Sequence, residues 1–120
     1  MNEIFIVLTL LFVKHFIVDF VLQTNEHVLN KGIYGAWKGI EHSLQQGIGT
    51  LICLIFFVPF WVAVALAVID FLVHYHVDWG KININKSQKL TPADNKFWFW
   101  LGLDQLAHSL TYIWILWIIT

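Results

Sequence analysis

LICLIFFVPFWVAVALAVIDFLVHYHVDWGK, residues 51–81, is an apolar run far too long for a single bilayer crossing. Pro59 divides it. Proline has no backbone N–H and disfavours helix in the residue before it, so Phe57 to Trp61 is predicted as a tight turn between two helices running in opposite directions. Outward from this hairpin, two further apolar stretches complete the pattern. The predicted spans are about Ile4–Leu22, Lys38–Val58, Phe60–Trp79 and Phe97–Ile119, each long enough to cross. Residues 91–94, Thr-Pro-Ala-Asp, read as a helix N-cap at Thr91 with proline at the first helical position, so the last helix is expected to begin before it enters the membrane.

Composition supports the same class. The 120 residues are 58% hydrophobic and only 12% charged, with a mean hydropathy of +0.68. That is more apolar surface than a soluble domain of this length hides in one core. The net charge of −1, with no arginine, offers nothing to nucleic acid. Cys53 is alone, so no intrachain disulfide forms and the residue reads as small apolar packing. The first apolar run passes into polar residues without a small-residue cleavage site, and is therefore expected to be a retained helix. The prediction is an all-α, four-transmembrane-helix bundle, one integral membrane domain over residues 1–120.

Lysines set its orientation. Lys31 and Lys38 flank the first long loop, and Lys81, Lys86, Lys89 and Lys96 flank the second. The positive-inside rule puts both loops in the cytoplasm and both termini on the non-cytoplasmic side. Trp37, Trp79, Trp98 and Trp100 then mark the cytoplasmic boundary, and Trp61, Trp114 and Trp117 the opposite one.

Against this apolar background, His15, Asp19, His42, His74, Asp78, Asp104 and His108 demand an explanation, since a carboxylate at mid-membrane costs about 2.5–3.5 kcal/mol on insertion scales. Counted at about 1.5 Å per residue, all seven fall roughly 2–16 Å below the cytoplasmic ends of their helices, in one overlapping layer. His15/Asp19, His74/Asp78 and Asp104/His108 are i, i+4 pairs, each on one helix face, and His42 shares a face with Gln45, Gln46 and Gly49. Imidazole with carboxylate suits zinc, manganese or iron. Seven donors exceed the needs of one tetrahedral ion, so two divalent ions bridged by an aspartate would use them more fully, unless some donors orient the ligating histidines. Asp70 lies one turn from His74 and is a further ligand or the partner of a cation. Lys14, too deep to snorkel easily, is that cation or a holder of an anionic substrate group. Gln23 and Gln105 are candidates for supporting or substrate contacts. His76 faces away from His74, whereas Glu26 and His27 read as solvated loop residues beside Asn25 and Asn30. Phosphate-cradling glycine loops, nucleophile elbows and paired-cysteine motifs are absent.

The strings KHFIVDFVLQT (Lys14–Thr24), EHSLQQG (Glu41–Gly47), HYHVDWGK (His74–Lys81) and GLDQLAHSLTY (Gly102–Tyr112) resemble the domain-of-unknown-function 3307 family, small integral-membrane proteins of bacteria and their phages. The residues matching its polar positions are His15, Asp19, Gln23, His42, His74, Asp78, Asp104, Gln105 and His108. The resemblance implies a bacterial inner-membrane protein but no established activity. Small membrane proteins predicted to be metal-dependent hydrolases show a similar His and Asp placement.

From these features the expected function is a metal-dependent hydrolase acting on a phosphoryl or acyl group of an amphiphilic substrate, such as a lipid phosphate, at the cytoplasmic leaflet. Asp19, Asp78 and His108 are the candidate proton-transfer groups. The alternatives are a proton or metal-ion transporter or channel component, and a non-catalytic membrane protein that engages a partner. A conducting path needs polar residues in the outer halves of the helices, where only Thr9, Thr50, Thr111 and Tyr112 stand out. Outer faces rich in Phe and Trp suit lipid contact and also self-association into a homo-oligomer.

Overall fold

The computed structural model describes residues 2–120. They are 81% helical, and no strand occurs among the described residues. Five α-helices follow one another: α1 (Glu3–Phe16), α2 (Asn25–Asn30), α3 (Trp37–Leu54), α4 (Phe60–Ser87) and α5 (Asn95–Ile119), with a π-helical segment, Ile17–Val21, continuing α1. Glu3–Val21 and Phe60–Ser87 are long and apolar enough to cross a membrane.

Four long helices form a closed ring in which α1 packs on α3 and α5, and α4 packs on the same two. The turn that joins α3 to α4 is short, with Val58 N–H bonded to Leu54 C=O at 3.1 Å, and Pro59 takes the position ahead of the first turn of α4. Proline is well placed there, because the N–H it lacks has no partner within a helix. Close approach of α3 and α4 depends on Gly47. A Cβ at that position would meet Phe71 Cβ at 3.0 Å and Ala67 C=O at 3.1 Å.

Burial divides the bundle along its length. Near the Pro59 end, Val7, Leu11, Cys53, Leu54, Ala63, Leu66, Ile115 and Leu116 form an apolar core that also contains the Tyr112 ring. Toward the other end, the buried side chains are mostly polar: Lys14, Asp19, His42, Gln46, Asp70, His74, Asp78, Asp104 and His108. Outward faces carry large apolar groups, including Phe56, Trp61, Trp117 and Leu29.

The structure departs from the sequence reading in three places. Residues 25–30 are a helix, not a solvated loop, and His27 is buried. Thr24 caps α2 in a reciprocal arrangement, its Oγ1 accepting from His27 N–H while His27 Nδ1 accepts from Thr24 N–H at 3.0 Å. α4, predicted to end at Trp79, runs eight residues farther to Ser87, since a falling hydropathy ends an apolar span but not a helix. The last helix starts after Asp94, which takes the cap position three residues beyond Thr91: Thr91 N–H donates to Asp94 Oδ2 at 2.8 Å, tying the two into a turn.

Gly47→Leu is expected to lower the thermal unfolding midpoint in detergent by an overpacking cost of about 1–3 kcal/mol. Gly102→Leu, at a site with no neighbour within 4 Å, should leave that midpoint nearly unchanged.

Candidate metal centre

A π turn adds one residue to the helical repeat, and in Ile17–Val21 the geometry sends Val18 and Asp19 inward while Ile17, Phe20 and Val21 face out. Asp19 thereby meets side chains from α3 and α4. Its Oδ1 lies 3.0 Å from His42 Nε2 and 3.5 Å from His74 Nε2, and accepts a hydrogen bond from Gln46 Nε2 at 2.8 Å. Asp78 closes the figure from α4, with Oδ2 at 3.1 Å from His74 Nε2 and 3.6 Å from His42 Nε2. Two imidazole nitrogens and two carboxylate oxygens therefore alternate in a ring with edges of 3.0–3.6 Å.

The other oxygen of Asp78 turns toward α5. Oδ1 lies 3.5 Å from His108 Nε2, which also sits 3.1 Å from Asp104 Oδ1. The rings of His74 and His108 stack, with centroids 3.9 Å apart. Asp19, His42 and His74 form one group of closely spaced donor atoms; His74, Asp78 and His108 form a second that shares His74.

Whether these donors fit an ion can be judged from their bonding. Neither ring nitrogen of His42 or His74, nor Asp78 Oδ2, has a hydrogen-bond partner among the described residues, although all are buried. Buried polar atoms are normally satisfied, and each orphan costs about 1–3 kcal/mol. A divalent ion with bonds of about 2.0–2.2 Å separates adjacent ligand atoms by about 3–3.5 Å, which matches the ring. Donor type, spacing and missing partners all fit a metal.

The remaining sequence-selected residues surround this ring. His15 Nε2 lies 3.2 Å from Asp19 Oδ2, and the His15 ring contacts Tyr112 and Gln105. Asp104 is outside both donor groups and pairs with Lys81 Nζ at 3.1 Å. Gln105 donates to Asp104 Oδ2 at 3.0 Å. Gln23 accepts from Lys31 Nζ at 2.9 Å. Lys14 and Asp70 form a buried ion pair at 3.2 Å, deeper than the ring. His76 is exposed and bonded to Tyr34, away from the cluster.

Several residues in the cluster carried no site role in the sequence reading. Lys31, just beyond α2, is buried with Nζ 3.6 Å from Asp78 Oδ2, and Lys81 reaches Asp104; both read in the sequence as charges at a membrane boundary. Thr50 and Tyr112 appeared as stray polar groups of the outer halves, yet Thr50 donates to Asp70 and Tyr112 touches Lys14 and His15. His27 joins from α2, donating through Nε2 to Glu41 Oε1 at 2.7 Å. The i, i+4 spacings of Tyr112 from His108 and of Thr50 from Gln46 are the sequence signals of their inward positions.

Lys31→Met would leave Asp78 without its nearest ammonium in a buried setting, at a cost of about 3–5 kcal/mol. The expected outcome is a much lower unfolding midpoint, largely restored in Lys31→Met/Asp78→Asn; Lys38→Met, on an exposed pair, should barely move it.

Residues 7–120 match a family model described as a protein of unknown function, DUF3307. No curated protein and no solved structure matches the chain. With nearly its whole length covered by that model, the chain belongs to the DUF3307 family.

Proposed function

We propose that the chain is a membrane-embedded, metal-dependent hydrolase acting on the phosphoryl or acyl group of an amphiphilic substrate at the cytoplasmic leaflet. The observation that carries this reading is the buried ring of Asp19, His42, His74 and Asp78, whose nitrogens and Asp78 Oδ2 lack protein partners at the spacing an ion requires.

Support for four crossings comes from the outer surface. α5 has 25 residues, more than the roughly 20 a span needs. The polar groups of α3 and α5 face the bundle interior, while their outer faces carry Ile48, Ile52, Leu106, Leu110 and Ile113. Exposed Trp61, Trp114 and Trp117 at one end, and Trp37, Trp79 and Trp98 at the other, suit two interfaces. Both long connections, rich in lysine, then lie in the cytoplasm, with the termini opposite.

Charge favours one ion over two. Asp19, Asp70, Asp78 and Asp104 are buried, with Lys14 and Lys31 buried and Lys81 half-buried beside them, so four negative charges meet three positive ones. One divalent ion turns the net −1 into +1; two would leave +3 in a low-dielectric interior, a poor balance. The residual +1 is what a hydroxide or an anionic phosphoryl oxygen would neutralise.

A bound divalent ion would polarise the reacting group and lower the pKa of a bound water. The side chains account for the other tasks. Asp104 holds His108 at Nε2, leaving Nδ1 without a protein partner and available to accept a proton. Lys31 and Lys81 supply positive charge at the cytoplasmic edge of the cluster. A groove of about 340 Å³ between α4 and α5, lined by Lys81, Asp104, Gly80, Ile84, Trp100 and Leu103, offers an amphiphile a path with its tail in lipid. A transporter needs a path through the other half, where Leu11, Leu54, Ala63 and Ile115 are fully buried and close-packed.

Elemental analysis of purified protein should find about one divalent ion per chain, lost in His42→Ala and His74→Ala with the helical circular dichroism retained. Metal-loaded protein should hydrolyse a lipid phosphate in mixed micelles, and His108→Ala should lose at least 100-fold in rate while keeping the metal. Folded wild-type protein that takes up no ion would remove the proposal. For topology, a cysteine replacing Lys89 in a Cys53→Ser background should react with an impermeant maleimide in inside-out vesicles and stay protected in intact cells.

A further inference from the structure

Lys14 Nζ has three protons and three partners: Gln46 Oε1 at 2.8 Å, Tyr112 Oη at 2.9 Å and Asp70 Oδ2 at 3.2 Å. All four side chains are buried, so the ammonium has no donor left for a substrate. Its bonds instead fix the direction of every hydrogen bond that leads away from it.

One arm is short. Gln46 must turn its oxygen to the ammonium, which leaves its Nε2 donating to Asp19 Oδ1 at 2.8 Å. The second arm is longer and can be fixed from its far end. Gln105 Nε2 donates to the Asp104 carboxylate at 3.0 Å, so Gln105 Oε1 is the atom that faces His15 Nε2 at 2.9 Å. That nitrogen also has Asp19 Oδ2 at 3.2 Å. Two oxygens without protons facing one ring nitrogen require the proton to be on Nε2. In the neutral ring Nδ1 is then an acceptor, and the group 2.9 Å from it is the Tyr112 hydroxyl. Tyr112 donates to His15 and accepts from Lys14, with no conflict anywhere along the chain.

The geometry points to Lys14 as a positioning residue: through two one-way chains, Gln46 and Tyr112–His15–Gln105, it orients the carboxylates of Asp19 and Asp104 and turns the Tyr112 hydroxyl onto Nδ1 of His15, which as the Nε2–H tautomer stays outside the set of metal ligands. The role extends the metal reading above, because Asp19 belongs to the ring and Asp104 supports His108. His15, one of the seven donors selected from the sequence, becomes an orienting group, and Lys14 ceases to be a candidate for holding substrate. Gly49 makes room for the arrangement, since a Cβ there would collide with the Lys14 stem, with Cδ at 2.7 Å.

The test uses full-length protein in nanodiscs, labelled with 15N-histidine, stripped of metal and held above the histidine titration range. His15, assigned by comparison with His15→Gln, should show Nε2 protonated and Nδ1 bare. Tyr112→Phe, which keeps the ring volume, removes the donor to Nδ1 and should move the Nδ1 resonance of His15, while Nε2, still facing Gln105 and Asp19, keeps its proton. Lys14→Met/Asp70→Asn, which removes the ion pair without leaving a lone buried charge, should do the same. Added Co2+ should shift the resonances of His42 and His74 but not those of His15, and both variants should bind it 10–100-fold more weakly. Protonation of His15 at Nδ1 in the wild type, or an unchanged Nδ1 resonance in both variants, would overturn the inference, as would a Co2+-induced shift showing His15 to be a ligand. Absence of Co2+ binding by the wild type overturns the metal reading instead, and leaves the tautomer measurement able to decide the rest.

Discussion

Four carboxylates are buried within one half of a small helical bundle, and their compensation is the constraint on which the rest of the structure depends. An isolated carboxylate moved from water to a protein interior loses several kcal/mol of solvation, recovered only with well-placed partners. Each has a different answer here. Asp70 has Lys14, Thr50 and a position below the ring; Asp104 has Lys81, Gln105 and His108; Asp78 has Lys31 and three histidines. Asp19 alone has no lysine and relies on Gln46, His15 and the ring histidines. The carboxylate lacking an ammonium is thus one of those in the ring with orphaned nitrogens, where a divalent ion would supply the missing charge.

The same constraint explains the short α2. Its six residues bury little apolar surface, and a helix of that length is not stable by itself. It is held by the cap between Thr24 and His27 and by the bond from His27 to Glu41. At its end it delivers Lys31 to Asp78 and Gln23. Gly35, with φ of 86°, then turns the chain toward α3, and its N–H donates to the Tyr75 hydroxyl at 2.8 Å. A connection that reads as a linker is part of the wall of the site.

How far the sequence discloses this structure follows from which signals are local. Apolar runs of span length and the break at Pro59 locate α1, α3, α4 and α5, since both depend on neighbouring residues only. The i, i+4 pairs His15/Asp19, His74/Asp78 and Asp104/His108 place polar groups on single faces for the same reason. α2 lacks any periodicity at six residues, and its capping partner is His27 where Glu or Gln is the usual signal. Lys31 and Lys81 were legible as positive charges beside membrane ends but not as partners of buried carboxylates, because that pairing is decided by which helix lies opposite. Spacing puts Thr50 on the face of Gln46 and Tyr112 on that of His108, but their partners are fixed only by the packing of α3 and α5 on α1 and α4, which brings them to Lys14 and Asp70.

The three lysines paired with buried carboxylates divide by depth and by bonding. Lys14 lies beside the apolar core, its three protons all taken and its ring neighbour Tyr112 fully buried. It can contribute order but not binding. Lys31 and Lys81 stand on the other side of the donor ring, each with a single hydrogen bond and further protons to give, and Lys81 borders the groove between α4 and α5. An anionic group entering there would meet the incompletely used ammonium of Lys81 before it met the donors beneath it. Gradation from a saturated cation at the floor to unsaturated cations at the rim gives the cluster a direction, and that direction suits a pocket closed at one end better than a path through the bundle.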